Sequence, residues 1–155
     1  MSKVTESNCI GGCCKMFVTD YKDVVYSLDD DWRESSGTIK KAGCFIYDPT
    51  ANSWTDVTDP GMKYWTKDIV VDPNDATQNT WYVGVFSGWG GPPNGLGGLY
   101  KTTNRGTSWT KLTGSTLDRV TSCTFNPSNA NQIFLTTETQ GLWMSSNINS
   151  HWDCT

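Results

Sequence analysis

Gly98-Leu99-Tyr100-Lys101-Thr102-Thr103-Asn104-Arg105-Gly106-Thr107-Ser108-Trp109-Thr110-Lys111-Leu112 is the stretch that decides the fold of this chain. Tyr100 and Thr102 alternate with Lys101 and Thr103, the two-residue period of a strand with two unlike faces. Asn104 and Gly106 then mark a tight turn. A short amide side chain accepts hydrogen bonds from turn N–H groups, and glycine tolerates positive φ. Trp109 is placed to fold back over this hairpin, and Leu112 follows in a second short strand. The frame recurs in Ser145-Ser146-Asn147-Ile148-Asn149-Ser150-His151-Trp152, where Asn149 takes the glycine position. Asparagine is the residue next most tolerant of positive φ. Trp109 and Trp152 lie 43 residues apart, as do Leu99-Tyr100 and Leu142-Trp143. Upstream, Val70-Val71-Asp72-Pro73-Asn74 matches Thr124-Phe125-Asn126-Pro127-Ser128. A further strand follows each, Trp81–Phe86 and Ile133–Thr137.

A period of roughly 40–55 residues with four strands per unit is that of a β-propeller blade. The motif Thr102-x-Asn104-x-Gly106-x-Ser108-Trp109 resembles the Asp-box, a Ser/Thr-x-Asp-x-Gly-x-Thr-Trp turn found once per blade in sialidases, xyloglucanase-type glycoside hydrolases, sortilin-type receptors and photosystem assembly factors. Asn104 departs from the pattern, keeping the acceptor oxygen and losing the charge. The resemblance implies structural roles for Thr102, Asn104, Gly106, Ser108 and Trp109, and for Ser145, Asn147, Asn149 and Trp152 in the degenerate copy. Across residues 24–150, Val25-Tyr26-Ser27, Phe45-Ile46-Tyr47-Asp48-Pro49, Trp54-Thr55-Asp56-Val57-Thr58 and Val70-Val71-Asp72-Pro73 are most similar to blades of the xyloglucanase-type propellers. Tyr47-Asp48-Pro49-x-x-Asn52-x-Trp54 also resembles a kelch blade, but the later units carry no diglycine-and-tryptophan kelch pattern.

The expected fold is all-β, with about three four-stranded antiparallel blades. Residues 1–12 form a polar N-terminal arm, 13–58 a degenerate first blade, 59–112 a second and 113–155 a third. Strands in the first unit are expected at Cys14–Val18, Val24–Leu28, Cys44–Tyr47 and Ser53–Val57, with a polar insertion between the second and third. Closed propellers typically need ~4–8 blades. Three make an incomplete ring, to be closed by more chain, by other copies or by partners.

The composition narrows the function. Charged residues make up 18% of the 155, below the usual ~25%, while glycine and tryptophan number 15 and 8. A net charge of −4 with scattered Lys and Arg argues against nucleic acid, whose phosphates require a basic patch. No apolar run reaches ~18 residues, so no membrane span is expected. Met1–Glu6 has no apolar core of a secretory leader. The expected location is nonetheless extracellular, which the family resemblance and the six cysteines imply. Those cysteines, at 9, 13, 14, 44, 123 and 154, suit disulfides or buried thiols, with pairing left open. A metal site is not expected, because Cys9-x-x-x-Cys13 lacks a second ligand pair and His151 is the sole histidine. No cofactor is expected either.

Parity places a binding face. In an antiparallel meander the first-to-second and third-to-fourth turns share one end, and the remaining connections share the other. The short turns therefore lie opposite the long loops, Asp29 to Lys41 and Ser87 to Gly97, and the link Asp59 to Trp65. Long loops are commonly functional. These combine carboxylates with aromatic rings, a pairing suited to sugar. Trp32, Trp65, Trp89 and Tyr64 are the candidate substrate-binding residues, with Trp32 and Trp89 as edge covers in the alternative reading. Asp29, Asp30 and Asp31 are the catalytic candidates, with a solvated acidic loop as the alternative. No complete catalytic pair transfers from the family, and the sialidase arginine triad is absent. Two functions stay open. One is a segment of a secreted glycoside hydrolase acting on polysaccharide. The other is a non-catalytic module that binds glycan or protein, or builds an extracellular assembly.

Overall fold

The structure, a computed structural model, describes residues 15–18, 25–29, 43–48, 50–62, 65–87, 95–115, 117–148 and 151–155, with the backbone alone described for 15–18, 25–29 and 65. Among the described residues the regular elements are twelve strands and one short 3-10 turn, Pro60–Met62. The strands form three four-stranded antiparallel sheets, each a simple meander. Sheet 1 contains β1 (Lys15–Val18), β2 (Val25–Asp29), β3 (Gly43–Asp48) and β4 (Ser53–Asp56). Sheet 2 contains β5 (Trp65–Val71), β6 (Trp81–Phe86), β7 (Gly98–Thr102) and β8 (Thr110–Lys111). Sheet 3 contains β9 (Val120–Asn126), β10 (Asn129–Thr137), β11 (Gly141–Ser145) and β12 (Asp153–Cys154). The fold is all-β, an open run of three propeller blades.

The strand expected at Trp81–Phe86 has those limits, and its sequence explains its place. Trp81-Tyr82-Val83-Gly84-Val85-Phe86 is buried at every position. A strand apolar on both faces needs cover on both. Trp81, Val83 and Val85 join Cys44, Met62, Ile69 and Tyr100 in a core facing sheet 1. Tyr82 joins Leu99, Val120, Cys123, Ile133, Leu135 and Ile148 in a core facing sheet 3. Sheet 2 therefore lies between the other two. Gly84 permits the approach of sheet 3, since a Cβ there would sit 2.8 Å from Val120 Cγ1.

A buried carboxylate fastens the second interface. Asp68 is 2% exposed and accepts hydrogen bonds from Ser122 Oγ at 2.5 Å and Cys123 N at 3.0 Å, across the gap between β5 and β9. The Ile69 amide donates to its other oxygen at 2.8 Å. Burying a carboxylate is costly unless its lone pairs are occupied, and here three donors occupy them.

Trp109 and Trp152 immediately precede β8 and β12, whereas Trp54, Trp81 and Trp143 are strand residues. One expectation is refined. Trp65 opens β5, paired with Phe86, instead of lying in the link. Among the described residues Cys44, Cys123 and Cys154 are thiols; the first two are buried and the third is exposed. Burial raises the Cys44 thiol far above its ordinary value, with the Asp56 charge adding to the effect. Cys9, Cys13 and Cys14, and the arm at 1–12, lie outside the described residues.

Candidate functional site

The two ends of the sheets have different chemistry, and the tight turns gather at one of them. Thr102 Oγ1 accepts from the amides of Gly106 at 2.9 Å and Asn104 at 3.2 Å, and donates to Asn104 Oδ1 at 2.9 Å. Asn104 Oδ1 also accepts from Ser108 N, and its amide donates to Ser108 Oγ, both at 2.9 Å. Gly106 has φ +82°, and a Cβ there would lie 2.7 Å from Val57 Cβ. Trp109 donates its indole N–H to Val57 O at 2.7 Å and packs on the sheet 1–sheet 2 core. This turn is thus closed internally and docked on the preceding sheet. In the second copy Ser145 Oγ lies 3.3 Å from Asn147 Oδ1, and Trp152 packs on the sheet 2–sheet 3 core with its indole nitrogen buried. Asn149 lies outside the described residues.

The same end holds the 72–80 connection. Asp75 accepts from the amides of Thr77, Asn79 and Thr80 and from the Thr77 hydroxyl. Those donors, Thr77 first, hold its pKa down at about 2. The Arg105 amide donates to Asn79 O at 3.0 Å, tying this connection to the 102–109 turn. Asn74 Nδ2 donates to Ala130 O at 2.9 Å, tying it to the start of β10.

At the opposite end the residues that flank the β6–β7 connection meet the 59–62 link. Tyr100 Oη lies 2.7 Å from Leu96 O and 3.2 Å from Gly61 O, so one phenol joins the foot of the 88–94 loop to the 59–62 link. Burial raises its pKa, and the Asp59 and Asp118 charges add to that. Asp118 grips both feet of the loop. Its carboxylate accepts from Gly97 N at 2.7 Å and its carbonyl from Ser87 N at 3.1 Å. A Cβ on Gly97 would fall 1.6 Å from Asp118 O, so glycine is required at that approach. Lys111 Nζ donates to Gly95 O at 2.5 Å. Burial lowers the Lys111 pKa, with Asp118 opposing the shift. Asp59 Oδ1 accepts from Gly61 N at 2.7 Å, and Arg119 pairs with Glu138 at 3.2 Å.

Of the candidate binding residues, Trp65 has its backbone at this end of β5, beside Phe86. Tyr64, Trp89 and Trp32 lie outside the described residues, as do Asp30 and Asp31. Asp29 ends β2, with its backbone paired to Gly43. Sequence reasoning missed Asp118 and the Tyr100 hydroxyl. Nothing in Leu117-Asp118-Arg119 marks an aspartate that receives the amide of Gly97, 21 residues upstream. A signal did exist for Thr58 and Thr113, which receive the amides of Cys44 and Leu99, both at 3.0 Å. They close the matched phrases Trp54-Thr55-Asp56-Val57-Thr58 and Trp109-Thr110-Lys111-Leu112-Thr113. Among the described residues no cluster of three or more His, Cys, Asp or Glu side chains is arranged to hold a metal ion.

Solved structures share this arrangement. The chain is similar to a GH74 enzyme of Niastella koreensis, with a TM-score of 0.63 and 18% identity over 88% of this chain. It is similar also to an ancestral GH74 enzyme, with a TM-score of 0.64 and 20% identity over 91% of this chain. The chain spans only 22% and 18% of the length of those two proteins. At these identities the likeness shows the fold. No protein-family model matches the chain, and no curated protein does. Among the described residues no helix is long and apolar enough to cross a membrane.

Proposed function

We propose that this chain is a segment of a carbohydrate-handling β-propeller, of the xyloglucanase type of glycoside hydrolase, which presents its glycan at the long-loop end. The observation that carries the reading is the division between the two ends. The 102–109 and 72–80 turns, joined through Arg105 and Asn79, occupy one end. The 59–62 link and both feet of the 88–94 loop converge on Tyr100 and Asp118 at the other. The hydrogen bonds of Thr102, Asn104 and Gly106 support reading the 102–109 turn as an Asp-box, a structural element in this proposal. The likeness to two enzymes named as GH74 supports the substrate class. Trp89, with Trp32, Trp65 and Tyr64, supplies the stacking surfaces for a sugar ring in this proposal. The remaining blades complete the cleft in an extracellular protein.

A specific observation favours a second reading, in which the segment binds glycan without catalysing its hydrolysis. Of the described aspartates at the loop end, Asp118 is fully buried and accepts the Gly97 amide, and Asp59 accepts the Gly61 amide. A carboxylate so placed positions a loop; it does not face a substrate. Calorimetric titration with a xyloglucan oligosaccharide tests the shared claim. The parent chain should bind, and Trp89→Ala should weaken binding at least several-fold with an unchanged thermal melt, given the ~1 kcal/mol scale of aromatic contacts. Equal binding by parent and variant removes Trp89 from the site, and no binding by the parent sinks the glycan reading for this segment. Release of reducing sugar from xyloglucan then separates hydrolase from binder.

A further inference from the structure

Gly95-Leu96-Gly97-Gly98 leads the chain into β7, and Leu96 carries the one side chain in it. Each glycine has a structural reason. Gly95 has φ +76° and Gly98 φ +134°, conformations that side chains disfavour. A Cβ on Gly97 would overlap Asp118 O, and one on Gly98 would overlap Thr113 Oγ1.

Four side chains hold this segment, one backbone group after another. Lys111 Nζ donates to Gly95 O, and the Tyr100 hydroxyl donates to Leu96 O at 2.7 Å. The Asp118 carboxylate accepts from Gly97 N at 2.7 Å, and Thr113 Oγ1 accepts from Leu99 N at 3.0 Å. Tyr100, Thr113 and Asp118 are buried and Lys111 is half-buried, so the holders are themselves held. Lys111 reaches Gly95 by crossing Gly98, where a Cβ would lie 2.8 Å from its Cε. The Tyr100 hydroxyl also lies 3.2 Å from Gly61 O, which fixes the 59–62 link to the same segment.

Leu96 is the outward part of this arrangement. Its side chain is 36% exposed, and among the described residues the other large apolar side chain so exposed is Leu142, in β11. Beside it, a Cβ on Gly95 would meet no atom of the described residues within 4 Å. An exposed leucine alone is ordinary. This one stands on a backbone fixed at every neighbouring residue, which is how a contact residue is supported when its geometry matters.

We propose that Gly95 and Leu96 form an apolar ledge of the glycan site, with Leu96 packed against the C–H face of a sugar ring and Tyr100 and Lys111 as positioning residues behind it. This rests on the reading of the loop end as the glycan-binding end. Glycine at 95 lets a ligand approach the backbone closely, and the leucine side chain matches the apolar face of a pyranose. The carbonyls of Gly95 and Leu96 and the amide of Gly97 are engaged from behind. The ledge therefore supplies shape and apolar contact, and other groups meet the sugar hydroxyls.

Calorimetric titration of the whole chain with a xyloglucan oligosaccharide, beside thermal melts, tests this. Leu96→Asp should weaken binding roughly fivefold or more with an unchanged melt, the scale of one lost apolar contact. Tyr100→Phe keeps the ring and removes the hydroxyl. It should weaken binding roughly threefold or more, with a melt only slightly lowered. The double variant should bind no more weakly than Leu96→Asp, because Tyr100 acts through Leu96. Lys111→Met replaces Tyr100→Phe should the latter unfold. A parent that binds, with Leu96→Asp binding equally well, overturns the ledge and leaves the glycan reading standing. Losses that multiply in the double variant overturn the positioning role of Tyr100 and leave it a structural one. A parent that binds no oligosaccharide overturns the glycan reading and the ledge with it.

Discussion

Thr102 shows how much one hydroxyl carries. It is buried and accepts two turn amides, one of them from buried Gly106, which has no water to turn to. Thr102→Val keeps the shape and removes the acceptor. An orphaned buried donor costs ~1–3 kcal/mol, so that is the expected loss in a denaturant melt. Thr103→Val, at the exposed neighbour, should cost little, and equal losses at the two sites would refute the role given to Thr102. This turn was legible in the sequence because each letter answers a local backbone need. Asn104 could replace Asp because the turn uses the acceptor oxygen, and the amide finds its own partner in Ser108. Asp68 was not legible. Its donors, Ser122 and Cys123, are more than fifty residues away, and strand periodicity records burial without naming a cross-sheet partner.

At the scale of elements, connections are held by carboxylates and sheets by indoles. Asp75 organises the 72–80 connection by collecting Thr77, Asn79 and Thr80 donors. Its native pKa of about 2 lies below the ordinary 3.8. A depressed native pKa means the unfolded chain binds the proton more readily, so the contribution of Asp75 is complete above the ordinary value. It disappears as pH falls towards 2. Asp75→Asn turns an amide NH2 group towards donors, so its melting temperature should be below that of the parent at pH 7. The difference should shrink between about pH 4 and pH 2. Melts with a constant gap across that range would show that the charge is immaterial. Trp109 joins sheets 1 and 2 through Val57 and lies 6.4 Å from Trp81, ring to ring. Trp109→Ala should cost ~3–5 kcal/mol in an unfolding titration, the range for large aromatic truncations in cores. Trp109→Phe should lose less, and a loss below about 1 kcal/mol for the alanine variant would remove the indole from the interface. The 43-residue spacing made these anchors legible, since repeated blades need repeated cover. The loop end was legible in parity but not in detail, because parity assigns an end to each loop and says nothing of what clamps it.

For the molecule as a whole, the stack of sheets predicts a gradient of local stability. Repeat architectures draw their stability from each unit and its contacts with neighbours. Sheet 2 has two such contacts. Among the described residues each of the others has one. Strand β6 is enclosed on both faces, and its partners β5 and β7 complete its hydrogen bonds. Strand β12, two exposed residues at the edge of sheet 3, has the opposite situation. Amides open by local fluctuation where few buried contacts must break, and by larger unfolding where many must. Native-state hydrogen exchange should therefore find the Tyr82–Val85 amides slowest, β9 and β10 intermediate, and β11 and β12 fastest. The gradient rests on which faces are covered. Slower exchange in β10 than in β6 for the dilute chain would contradict a central sheet 2, whatever the strand assignments say.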